Sequence, residues 1–174
     1  MELKGKKAIV LIEDMYNDYE FIYPYYRLLE AGAEVLVVGP EAGRVYHGKA
    51  GTTARSTASA LEMQPADFAG LVIPGGYAPD MMRRHEAMVN LVREMDNQGK
   101  VVAAICHAGW MLASAKILNG RTVTSFFAIK DDLVHAGATW VDQEVVEDGR
   151  LITSRTPDDL PVFMRAVVRA MQGV

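Results

Sequence analysis

One cysteine occurs among the 174 residues, and its neighbours make it the first candidate for chemistry. Cys106 follows the apolar run 101–105, which reads as a strand buried on both faces. It precedes residues 110–115, whose small and straight-chain side chains read as a helix. Ala104 and Ala108 stand two residues to either side. Small residues there are what a sharp strand-to-helix turn requires, as in the Gly-x-Ser-x-Gly elbow of hydrolases with cysteine in place of serine. Such a turn pushes the sulfur out over the sheet edge and points the first N–H groups of the helix at it. Those groups carry roughly half a positive charge. With an imidazolium from His107 beside them they predict a reactive thiolate, its pKa drawn from about 8.5 to roughly 3.5–7.5. A residue next to the cysteine in sequence does not easily turn its ring onto the same sulfur, so His107 ranks second.

Two more stretches belong with the elbow. Gly75 and Gly76 directly follow the apolar run 68–73. Without Cβ atoms, adjacent glycines let backbone N–H groups approach a ligand or a developing oxyanion. The run 8–12 ends in the acidic pair Glu13-Asp14 and leads to Glu20. Ligands of parallel sheets bind at the C-terminal ends of the strands, near the point where strand order reverses. The loop before Glu20, the Gly75-Gly76 turn and Cys106-His107 are therefore expected to converge.

The elements that must position them follow from periodicity. Runs 8–12, 68–73 and 101–105 are apolar, the mark of strands buried in a parallel sheet, and 34–40 reads as the second strand of a strand-helix-strand unit. From Asp18 a helical stripe runs to the stop at Gly32, with Pro24 expected in the first turn because it lacks a backbone donor. Residues 45–51 suggest a hairpin, and 86–98 an amphipathic helix stopped by Gly99. A turn at 118–121 leads to a short strand at 122–124, and 129–135 reads as a helix closed by Gly137. Strands at 139–146 and 151–154 flank an Asp-Gly hairpin turn. Thr156-Pro157-Asp158-Asp159 supplies cap, first-turn proline and acids for a last helix through Met171.

A chain of this length, half hydrophobic, buries one sizeable core, so residues 1–174 are expected to form one domain. A net charge of −4 without a basic block argues against a nucleic-acid partner. No apolar run approaches the roughly 20 residues needed to cross a bilayer, and the start lacks the pattern of a signal peptide. A cytoplasmic protein with a free thiol is expected. His47, His85 and His135 have no partner pattern, and one cysteine makes no metal site.

The chain resembles the PfpI family of intracellular cysteine peptidases, within the superfamily that also holds the parkinsonism-associated deglycase and cofactor-independent glyoxalases. The resemblance rests on Glu20-Phe21-Ile22-Tyr23-Pro24-Tyr25, Ile73-Pro74-Gly75-Gly76, Ala104-Ile105-Cys106-His107, Ile129-Lys130-Asp131-Asp132 and Ser154-Arg155-Thr156-Pro157. It implies an α/β, flavodoxin-like three-layer sandwich with a mostly parallel sheet, no cofactor, and a homodimer or homohexamer. It makes Cys106 the nucleophile, Glu20 the carboxylate at its sulfur and His107 the adjacent histidine. The backbone at Gly75, Gly76 and His107 would form an oxyanion site, and Asp80, where the family has Glu, would reach His107 from a neighbouring subunit. Asn17, Lys49 and Phe126 would line the pocket. Asn17 stands where a second glutamate is usual, and Phe126 where a tyrosine is usual.

Three functions follow. A carboxyl against a thiol in a partly dry pocket has its pKa raised, so Glu20 stays protonated, donates to sulfur and is poised as a general acid/base. That suits a stress-response glyoxalase or deglycase acting on 2-oxoaldehydes such as methylglyoxal or their adducts. A cysteine peptidase using Cys106, His107 and Asp80 across subunits is the alternative, with a peptide as substrate. The third is a redox-sensing or chaperone-like protein in which the Cys106 thiolate is oxidised.

Overall fold

A computed structural model describes residues 1–174. The elements in chain order are β1 (Lys7–Leu11), α1 (Asp18–Glu30), β2 (Glu34–Gly39), β3 (Val45–His47), β4 (Thr53–Arg55), β5 (Ala58–Ser59) and β6 (Gly70–Ile73). There follow α2 (Ala78–Met82), α3 (Glu86–Asn97), β7 (Val101–Ile105), α4 (Gly109–Ala115), β8 (Thr122–Val123), α5 (Lys130–His135) and β9 (Thr139–Trp140). β10 (Val145–Asp148), β11 (Leu151–Ser154) and α6 (Leu160–Gln172) close the chain.

Seven strands form the central sheet in the order β10-β11-β7-β6-β1-β2-β5. All neighbours are parallel except β10 and β11. Helices α1 and α6 pack on each other and on one face, and α3 and α4 on the other. This is the expected flavodoxin-like sandwich. Of the runs that read as buried strands, β6 and β7 are buried throughout and β1 from Ala8 onward, as is β11, whereas β2, nearer the sheet edge, is buried only from Val37. Each Val, Ile or Leu so buried contributes about 1.5–3 kcal/mol. From β1 the chain runs outward to β2 and β5, then crosses back to β6 on β1's other side. The reversal lies between β1 and β6, where the loop 12–17 meets the Gly75-Gly76 turn.

Several expectations are corrected. Helix α1 does not begin near Pro24 but at Asp18, where the Asn17 side chain accepts from the N–H groups of Tyr19 and Glu20. That cap suffices to start the helix, and the buried Pro24 is carried inside it at the loss of one i→i−4 hydrogen bond, from Glu20's carbonyl. The stretch 139–146 is not one strand: β9 pairs with β8 in a separate two-stranded sheet, and β10 continues to Asp148. Thr156 makes no side-chain cap; residues Pro157–Asp159 form a 3₁₀ turn, and Asp159 binds Arg155 instead. The hairpin at 45–51 forms from β3 and β4. Elements α2 and β5, at five and two residues, were too short to leave a periodic signal.

Candidate active site

The elbow exists and is strained. Cys106 has φ +61°, left-handed backbone that non-glycine residues rarely adopt. It opens the 3₁₀ turn Cys106–Ala108, which passes directly into α4. Such a conformation costs on the order of 1–3 kcal/mol and is held by its surroundings. Here Cys106 O accepts the Phe126 N–H at 3.1 Å, and β7 is locked between β6 and β11.

The Gly75-Gly76 turn brings the other groups to the sulfur. Asn17 N–H donates to Gly75 O, and Tyr77 N–H to Met15 O, lacing the turn to the loop that starts α1. A Cβ on Gly75 would lie 2.6 Å from Glu20 Oε2, 2.8 Å from Cys106 Cβ and 3.0 Å from the His107 nitrogen. The three residues therefore crowd around space that a single methyl group would fill. Gly76, at φ +76°, faces the backbone of Met15 and Asn17 equally closely.

Glu20 has no solvent exposure. Its Oε2 accepts the Gly75 N–H at 2.7 Å, and Oε1 is buried without a hydrogen-bond partner. Burial pushes this carboxyl up to about 7, opposed by the Gly75 N–H, the Cys106 thiol and the Lys49 charge. Cys106 is 8% exposed. Burial first, and the Glu20 charge second, push its thiol up to about 12, against the N–H groups of His107 and Gly76. The free-standing thiolate expected from the elbow is thus corrected: two negative charges cannot share this dry space. Near neutral pH the thiol therefore keeps its proton while the carboxyl titrates, and protonation of Glu20 removes the second cause of the thiol's high pKa.

His107 departs from expectation in two ways. Its Nδ1 lies 3.3 Å from Cys106 Sγ, so a sequence-adjacent ring does reach the sulfur. The left-handed elbow turns the two side chains toward each other. Phe126 stacks on the imidazole at 4.9 Å between centroids, and Trp110 meets it edge-on at 5.3 Å. Burial and then the Lys49 charge lower its pKa, so the expected imidazolium is a neutral ring near pH 7.

Gly76, Cys106 and His107 open into a cavity of about 450 Å³, lined also by Asn17, Lys49, Phe126, Tyr77, Thr156 and Pro157. The first three were expected there. Tyr77 was missed, although it directly follows the glycine pair, and Thr156-Pro157 was read only as a helix start. Two expected residues have other partners within the chain. The Gly75 N–H is occupied by Glu20 and is not free for an oxyanion, which leaves Gly76 and His107 as the donors beside sulfur. Asp80, on α2, pairs with Arg84 and does not line the cavity. No group of three or more His, Cys, Asp or Glu side chains is arranged to hold a metal ion.

Residues 6–170 match the DJ-1/PfpI family. The chain belongs to that family. A deglycase of Pyrococcus abyssi is 44% identical over 95% of this chain and 99% of its own. Protein/nucleic acid deglycase 2 of Escherichia coli is 42% identical over 96% of this chain and 98% of its own. Among solved structures, a two-domain protein from Anabaena variabilis with DJ-1/ThiJ/PfpI-like and ferritin-like domains superposes with a TM-score of 0.93 at 42% identity. The match covers 95% of this chain and 48% of that one, so this chain spans about half of the two-domain protein. The seven-stranded, mostly parallel sheet is thus the DJ-1/PfpI fold, and the chain is an enzyme of that family.

Proposed function

We propose that the protein is a cofactor-independent deglycase or glyoxalase acting on 2-oxoaldehydes such as methylglyoxal, or on their adducts with amines and thiols. The observation that carries this reading is a thiol crowded against a buried carboxyl whose pKa is about 7. An acid/base with a pKa near the working pH is best suited to move protons in both directions.

The steps follow the geometry. Cys106 Sγ bonds to the aldehyde carbon, its proton ends on the former carbonyl oxygen, and a hemithioacetal results. Glu20 as carboxylate takes the proton from C1 and returns it to C2 while the C1 hydroxyl proton passes to the C2 oxygen, turning the C2 ketone into an alcohol and C1 into a thioester. Oε1, which has no other partner, is the oxygen free to carry that proton. The N–H groups of Gly76 and His107 face the oxyanions that form. Water then cleaves the C–S bond, releasing a 2-hydroxy acid and the thiol; methylglyoxal plus water becomes lactate. An aldehyde adduct surrenders its amine or thiol unchanged as the free aldehyde is consumed. The deglycase names of relatives 42–44% identical favour the same chemistry.

Lactate formation from methylglyoxal tests it. Wild type is expected to form lactate and Cys106→Ala to match the blank; equal rates in the two would defeat the proposal. A peptidase is the second reading, favoured by the 3.3 Å contact of Cys106 and His107. It requires an acid on the other imidazole nitrogen, and since Asp80 pairs with Arg84 within the chain, that acid must come from a second copy. Peptide cleavage that depends on Cys106 and Asp80 alike would establish it.

A further inference from the structure

We propose that Lys49 makes the far side of the reaction cavity an anion subsite, so that the preferred substrates are 2-oxoaldehydes bearing a negatively charged group several atoms from the reacting carbonyls. This rests on the 2-oxoaldehyde reading above and names the substrate class within it.

Charge is the first argument. Among the cavity-lining residues Lys49 is the only one with a permanent charge. Its ammonium takes part in no ion pair of the chain. Its Nζ stands 5.8 Å from the centroid of the Tyr77 ring. By contrast, Arg155, beside the neighbouring cavity, is held by Asp142 and Asp159, and Arg84 by Asp80. The Lys49 charge acts on both Glu20 and His107, the two side chains beside the reacting sulfur.

Construction is the second argument. The turn that carries Lys49 is fastened to the buried Asp18 carboxylate, which accepts the Ala50 N–H at 2.8 Å, the Thr52 N–H at 3.0 Å and the Thr52 hydroxyl. Lys49 N–H donates to Tyr16 O, and the Tyr16 hydroxyl meets Thr52 Oγ1. Gly48 has no space for a side chain, since its Cβ would fall against Asp18. A flexible side chain is thereby presented from a fixed backbone.

Room is the third. The cavity of about 450 Å³ holds the equivalent of roughly fifteen waters at ~30 Å³ each, whereas methylglyoxal has only five non-hydrogen atoms. The apolar faces of Tyr77 and Phe126 suit a ring or chain linking the two carbonyls to the anionic end.

The probes are phenylglyoxal and 4-carboxyphenylglyoxal, which differ by one carboxylate. Wild type is expected to favour the carboxylate in kcat/KM by about tenfold or more, with the preference shrinking as salt rises. Lys49→Gln should bring the ratio to within about twofold and Lys49→Arg should retain part of it. Taking the ratio within each variant cancels the effect of Lys49 on the Glu20 and His107 pKa values. Calorimetry with 4-carboxymandelate and mandelate, the products of the two probes, gives a readout without turnover: 4-carboxymandelate should bind wild type about tenfold more tightly than mandelate, and Lys49→Gln no more tightly. Turnover of both aldehydes with a ratio near one, or a preference that survives in Lys49→Gln, overturns the inference and leaves the 2-oxoaldehyde reading intact. No turnover of either aldehyde, but a preference for 4-carboxymandelate that depends on Lys49, defeats that reading and supports the subsite. Neither turnover nor selective binding overturns both.

Discussion

Replacing Glu20 by glutamine keeps the side chain's shape and an oxygen for the Gly75 N–H while removing the group that titrates. In the folded chain the carboxyl sits at about 7, against 4.5 for the unperturbed group. Between those pH values the folded chain holds a proton that the unfolded chain has released, so wild-type stability falls as pH rises through this window. The gap of roughly 2.5 pH units at ~1.36 kcal/mol each comes to ~3 kcal/mol. Glu20→Gln is free of this dependence. Urea unfolding of both proteins should therefore show the variant gaining about 3 kcal/mol on wild type between pH ~4.5 and pH ~8, or about 10 °C in Tm. Turnover of 2-oxoaldehydes should fall at least about a hundredfold in the same variant, the usual worth of a general acid/base. A more stable and nearly inactive enzyme is the expected signature of a group kept for chemistry against the fold's interest. A stability difference between the two proteins that stays flat across the pH range would refute the raised carboxyl pKa.

Other outcomes follow from the same geometry. Gly75→Ala inserts a methyl 2.6 Å from Glu20 Oε2 and 2.8 Å from Cys106 Cβ, and should both abolish turnover and destabilise the fold by about 1–3 kcal/mol in denaturant titrations. Asn17→Ala orphans the Tyr19 and Glu20 N–H groups and should cost about 1 kcal/mol in the same titrations. Phe126→Ala strips one face of the His107 ring, so the imidazole pKa should rise toward its ordinary value as burial, its chief depressant, is relieved; NMR titration of the ring protons reads this directly. An unchanged His107 titration would mean that Phe126 does not supply that burial.

Strands that cross the core were legible because burial on both faces leaves a continuous apolar run, as at 8–12 and 101–105. The convergence of Glu20, Gly75-Gly76 and Cys106 was legible for a related reason: strand ends at the reversal of a parallel sheet are neighbours wherever the intervening chain goes. What lay beyond reach was set by three-dimensional crowding. The elbow spacing predicts a helix-stabilised thiolate, but not that the Glu20 carboxyl shares the same dry space and reverses the shift. The left-handed φ of Cys106 brings the His107 ring onto the sulfur, and adjacency in sequence argued the opposite. Pro24 was placed at the helix start by its missing donor, whereas the Asn17 cap begins the helix two turns earlier. Asp18 was legible only as the start of a helical stripe; the folded hairpin reveals the three donors it collects.

Three residues at the start of α1 divide unrelated tasks. Asn17 starts the helix, Asp18 moors the turn bearing Lys49, and Glu20 stands at the sulfur. The proton carrier and the turn that bears the cation are thus both fastened to the first turn of α1, while the thiol stands at the end of β7. A substitution that unwinds this one turn of helix would therefore loosen the carboxyl and the ammonium together.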